Sequence, residues 1–110
     1  MSSSALRVAV IGGLTRATDQ WRRAGDAIGV RVEHHDGQSQ GRRADNIEAI
    51  VRRADVVLVI TDLNSHNGVA HARRSAIAHA RPHLLVRRLR PDGLAAAIAE
   101  ALATARPAAA

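Results

Sequence analysis

Within the span from Asp62 to Asn67 the chain sets out a carboxylate, a hydroxyl, an imidazole and an amide, at Asp62, Ser65, His66 and Asn67. Gly12-Gly13 and His34-His35-Asp36 each stand at the end of another run of apolar or alternating residues, and Arg87-Arg88 close a fourth. Three chemistries are open to this set. His34, Asp62 and His66 offer nitrogen and carboxylate donors that suit a zinc or ferrous ion, with His35 and Asp36 as further donors. Haem is a variant, with a histidine as axial ligand and arginines pairing with the propionates. A phosphate or carboxylate would instead be held by Asn67, by free N–H groups at a helix start and in the Gly12-Gly13 loop, and by arginines such as Arg16, Arg42, Arg43, Arg87 or Arg88. The third chemistry is acid–base catalysis by His34 or His66. Ser65, His66 and Asp62 contain the residue types of a nucleophilic triad, but Ser65 and His66 are sequence neighbours whose side chains diverge, so no triad is expected. Each residue also has an ordinary use: turn hydrogen bonds for His35 and Asp36, capping for Ser65, a structural bond to Asp62 for His66.

These residues need elements to position them. Residues 56–61 form an unbroken apolar or β-branched run, the pattern of a strand covered on both faces. Asp62 ends it, and Ser65 caps a third helix expected over about 65–80, which stops before Pro82. Residues 6–11 read as the first strand. Gly12-Gly13 behind it lacks the third glycine of a dinucleotide loop and the Gly-Lys-Ser/Thr of a P-loop. Trp21, Ala24 and Ile28 recur at helical spacing, so a first helix covers about 18–28 with Gly29 as its stop and Trp21 in the core. Residues 30–37 alternate, which predicts an edge strand with Val30, Val32 and His34 on one face and Arg31, Glu33 and His35 on the other. A polar loop is expected over 38–43. Ile47, Ile50, Val51 and Ala54 mark a second helix, with Arg52 and Arg53 where its dipole favours cations. The fourth strand is expected over 83–89, and Pro91-Asp92-Gly93 opens a last helix carrying Leu94, Ile98 and Leu102.

Strands alternating with helices predict a three-layer α/β domain, Rossmann-like or flavodoxin-like, with a four-stranded parallel sheet. The most apolar strands, the first and third, belong in the centre, so the order is 2-1-3-4. Ligands bind at the carboxyl edge where such an order switches direction, and every unusual polar group falls on that rim.

Composition narrows the field. The 110 residues make one domain, expected over 6–105, with disordered ends at 1–5 and 106–110. Trp21 is the sole aromatic and Cys is absent, which removes base-stacking platforms, disulfides and thiol chemistry. The net charge of +6 is carried by arginine alone, all 16 basic residues being Arg. It attracts anions. Without a recognition-helix motif or aromatic patch, however, nucleic acid is not an expected partner. No apolar run reaches membrane-span length, and Met1-Ser2-Ser3-Ser4 lacks a signal-peptide pattern, so a cytoplasmic location is expected. The size and the Ala-rich third and fourth helices suggest a homodimer.

The motifs Val10-Ile11-Gly12-Gly13, His34-His35-Asp36-Gly37, Ala54-Asp55-Val56-Val57 and Ser65-His66-Asn67, in this order and spacing, resemble the bacterial domain of unknown function 2325 family. The resemblance runs over roughly residues 6 to 104. Members often carry Lys and Cys in the third helix and an arginine in the last strand. This chain keeps Arg87 and Arg88 but has no Cys, so no thiolate ligand or thiol redox role is implied. The resemblance implies the fold and a site, and no function. The expectation is a regulatory or sensor module that binds a small ligand or a metallocofactor at the carboxyl edge. The alternatives are an enzyme at the same rim or a phosphometabolite-binding module.

Overall fold

The computed structural model describes residues 5–13, 17–38, 42–62 and 64–105, without the side chains of 43, 44 and 105. Residues 1–4 and 106–110 of the tails expected to be disordered, Arg16, the side chain of Arg43 and residues 39–41 of the expected polar loop lie outside the described residues. The elements run β1 (Arg7–Ile11), α1 (Thr18–Ile28), β2 (Arg31–His35), α2 (Arg42–Arg53), β3 (Val56–Ile60), α3 (His66–Ala78) and β4 (His83–Val86). A 3₁₀ turn (Pro91–Gly93) then leads into α4 (Leu94–Ala105). All strand pairs are parallel and the order is β2-β1-β3-β4, as the hydrophobic patterns predict.

Side-chain alternation splits the central strands between two cores. Val8, Val10, Val56, Leu58 and Ile60 face α1 and α4 and surround Trp21, Leu94 and Ile98. Ala9, Ile11, Val57 and Val59 face α2 and α3 and meet Ile47, Val51, Ala72 and Ala76. All five residues of β3 are buried, so the unbroken apolar run has the double-sided cover its sequence requires. Each such side chain contributes about 1.5–3 kcal/mol by leaving water. Ala72 and Ala76 of α3 and Ala97 and Ala101 of α4 pack into the cores on the two faces of the sheet, while Ala70, Ala95, Ala96, Ala99 and Ala103 are exposed.

Several boundaries differ from the sequence reading. β4 ends at Val86, so Arg87 and Arg88 lie beyond the strand. Thr61 N–H still donates to Val86 O (2.8 Å) and Asp62 N–H to Arg87 O (3.0 Å), but the chain then turns toward Pro91, which lacks a donor and starts the 3₁₀ turn. α2 starts at Arg42, inside the expected loop. α3 is shorter at both ends. Ser65 caps it, and Ala80 (φ 54°) turns left-handed so that Arg81 N–H reaches back to Ala76 O at 2.7 Å.

Candidate functional site

The carboxyl ends of β1 and β3 part at the switch in strand order, and Asn64 bridges them. Its Nδ2 donates to Ile60 O at 2.7 Å and, at a long 3.4 Å, to Ile11 O. β1 has ended by this level, so the side-chain amide supplies the donor that the ladder no longer does. Three loops crowd around this side chain. At Gly12 (φ 115°) a Cβ would stand 2.7 Å from Ile60 O and 2.8 Å from Asn64 Nδ2. A Cβ at Gly37 (φ 89°) would overlap Asn64 Oδ1, and one at Gly68 would overlap Gly37 O. Only glycine meets both the left-handed backbone and the space at the first two positions. Ser65 completes the knot: its Oγ accepts from Gly68 N–H (2.8 Å) and donates to Gly37 O (3.0 Å). The β2 loop is thereby tied to the start of α3.

His34 ties β2 to the β1 loop from the other face. Its Nε2 lies 2.6 Å from Gly12 O and its Nδ1 2.8 Å from Thr18 Oγ1. A carbonyl only accepts, so Nε2 carries the proton and Nδ1 accepts from the Thr18 hydroxyl. Burial pushes the imidazole below its ordinary pKa, against the opposing pull of the Gly12 carbonyl and the Asp36 charge. Trp21 packs 6.3 Å away, centroid to centroid. His35, on the opposite face as predicted, accepts from Gly37 N–H at Nδ1 (2.9 Å), and Asp36 accepts from Gln38 N–H (3.0 Å). Both make the turn bonds that are the ordinary use of such residues.

Two clefts open on either side of this knot. The first, of about 480 Å³, is walled by Ala17, Trp21, Ile60, Leu89 and Pro91, with Gly13 at its base and Asp62, Arg88 and Arg90 at its mouth. Arg88 Nε donates to Asp62 Oδ2 at 2.8 Å across that mouth. The second, of about 580 Å³, lies on the α3 side between Thr61, Ser65, His66, Arg73 and Leu85. Asp62 belongs to both.

The residues singled out in the sequence therefore divide. Gly13, Asp62 and Arg88 line the first cleft, and Gly12 and His34 support its base. Ser65 and His66 line the second cleft, Asn67 is exposed in the first turn of α3, and Arg87 is exposed beyond β4. The expected metal trio does not converge. His34 has both ring nitrogens engaged, Asp62 pairs with Arg88, and His66 stands exposed at the start of α3. Among the described residues no three His, Asp or Glu side chains come together as a metal site. Nor does Ser65 face an imidazole, since its proton goes to Gly37 O. Sequence reading missed Asn64 and the apolar walls Ala17, Leu89 and Pro91. An Asn between a buried strand and an N-cap serine was the available signal for the first, because a short amide there reaches two strand-end carbonyls.

Neither the curated proteins nor the solved structures yielded a match to this chain. The family described as Uncharacterized protein conserved in bacteria (DUF2325) matches residues 7–102. That span takes in β1 through most of α4, both clefts and the knot between them, and so the chain belongs to the DUF2325 family.

Proposed function

We propose that this protein is a small-ligand-binding module, regulatory rather than catalytic, whose site is the cleft between Gly13, Trp21, Ile60 and the Leu89–Pro91 segment. The observation that carries the reading is the cleft itself: mostly apolar walls at the switch point, with a few charged groups gathered at one mouth. Its volume falls within the few hundred to about 1,000 Å³ of small-molecule sites, which combine apolar walls with sparse polar anchors. The matching ligand is a flat organic anion. Its apolar body lies between Ala17 and Pro91, and its carboxylate or phosphate reaches Arg88 and Arg90. Asp62 holds Arg88 over the mouth, so the negative charge of Asp62 is offset and the guanidinium is oriented. A metal or haem held by His34 would require it to give up its bond to Gly12 O or to Thr18, which favours the organic ligand among the candidates.

A thermal-shift panel of benzoate, nicotinate and indoleacetate tests the reading. At least one should raise the melting temperature of the wild type and not that of Ala17→Leu, which fills the cleft. Equal shifts in both proteins, or none in either, count against it. A Soret band or stoichiometric metal that is lost in His66→Ala would favour the metallocofactor instead.

A further inference from the structure

The opposite end of the sheet carries a cleft of different character. Around the free edge of β2 a cleft of about 510 Å³ is lined by Arg7, Arg22, Arg31 and Arg53, with Asp26, Val32 and Glu33. Arg7 and Arg31 are register partners on the neighbouring strands β1 and β2, so their side chains leave the same face about 5 Å apart. Like charges set directly opposite one another destabilise a sheet. Of the acids that could relieve the pair, Glu33 and Asp55 are already engaged, and Asp26 lines the cleft without an ion pair to either arginine. Glu33 is gripped by Arg53 through both Nε (2.6 Å) and Nη2, and this pairing holds the Glu33 carboxyl below its usual range. Asp55 accepts from the backbone N–H of Arg7 at 2.8 Å, not from its guanidinium. Among the described residues neither the Arg7 nor the Arg31 guanidinium makes a hydrogen bond or an ion pair.

We infer that this amino-edge cleft is a binding site for the phosphate group of a phosphorylated small molecule, received between the Arg7 and Arg31 guanidiniums. Two adjacent planar forks suit a doubly charged group with several acceptor oxygens better than a single carboxylate. Arg22 reaches the cleft from α1 and makes an exposed i,i+3 contact to Asp19 at 3.6 Å. Arg53, fixed by Glu33, forms a charged wall that needs no rearrangement. Val32 contributes an apolar surface for the organic part of the ligand. The site stands apart from the switch-point cleft, sharing none of its residues.

Calorimetric titration with inorganic pyrophosphate at low salt tests the inference, with melting temperatures confirming that each variant is folded. Wild type should bind one pyrophosphate, and Arg7→Gln and Arg31→Gln should each weaken binding by about tenfold, the scale of one lost charge-assisted hydrogen bond. Glu33→Gln should tighten binding several-fold, because it removes a negative charge and frees Arg53. That gain is one a purely structural role would not produce. Absence of wild-type binding overturns the site, as does an equal loss in the distant Arg88→Gln. Binding of a single-stranded oligothymidylate with a steep salt dependence, without pyrophosphate binding, would also overturn it in favour of a polyanion surface.

Discussion

Replacing Asn64 should loosen the carboxyl edge more than its half-exposed position suggests. Asn64→Ala removes the 2.7 Å bond to Ile60 O, whose residue is 4% exposed, together with the long contact to Ile11 O. A buried acceptor left without its donor costs about 1–3 kcal/mol. Against this stands a small gain, because Asn64 Oδ1 is itself buried with no hydrogen-bond partner among the described residues and would be deleted too. The net loss expected is about 2 kcal/mol, or about 8–15 °C in melting temperature for a domain of this size. Asn64→Asp keeps the unpartnered oxygen and points a second one at Ile60 O, so it must be worse than alanine at neutral pH although it is nearly isosteric. Urea unfolding followed by the fluorescence of Trp21 measures both. An Asn64→Ala loss below about 0.5 kcal/mol, or an aspartate variant as stable as the alanine one, would refute the bridging role.

Two more consequences follow from the same knot. Ser65→Ala loses both the α3 cap and the tether to Gly37 O and should destabilise the fold by about 1–2 kcal/mol, read in the same urea experiment. His34 gives a pH dependence whose sign is set by burial. Its folded pKa is lowered, so below the ordinary histidine value of about 6.5 the unfolded chain binds more protons. The stability contribution is therefore complete above about pH 7 and falls as the pH drops through that value toward the lower folded pKa. Stability curves for wild type and His34→Gln should keep a constant gap above pH 7 and converge toward pH 5, and a gap that stays constant down to pH 5 would contradict the assignment.

The fold was legible because its signals are local and periodic. The unbroken run at Val56–Ile60 and the shorter one at Val8–Ile11 identify the central strands, and from them the order and the switch point follow. Boundaries were less so. β4 stops at Val86 because the chain must turn for Pro91, although Leu89 continues the apolar pattern by packing against the α1 and α4 core. The strand order brings these polar groups to one edge of the sheet, yet the contacts each makes there were not readable. His34 and His66 look equivalent as sequence, but one is engaged by Gly12 O and Thr18 and the other stands in solvent, a difference made by contacts between residues far apart in the chain. Asn64 escaped notice for the same reason: its carbonyl partners come from two strands, and Gly37 and Gly68 give it room from two further loops.

The most direct measurement is the amide NMR spectrum of the protein titrated with benzoate, nicotinate and indoleacetate. Binding in the proposed cleft predicts saturable shifts at Gly13, the Trp21 indole, Arg88 and Leu89, with His66, Val69 and Arg73 unmoved. Shifts centred on His66 and Arg73 would transfer the site to the α3 side. No saturable shift at Gly13, Trp21 or Leu89 with any of the three would contradict a small-ligand site at the switch point.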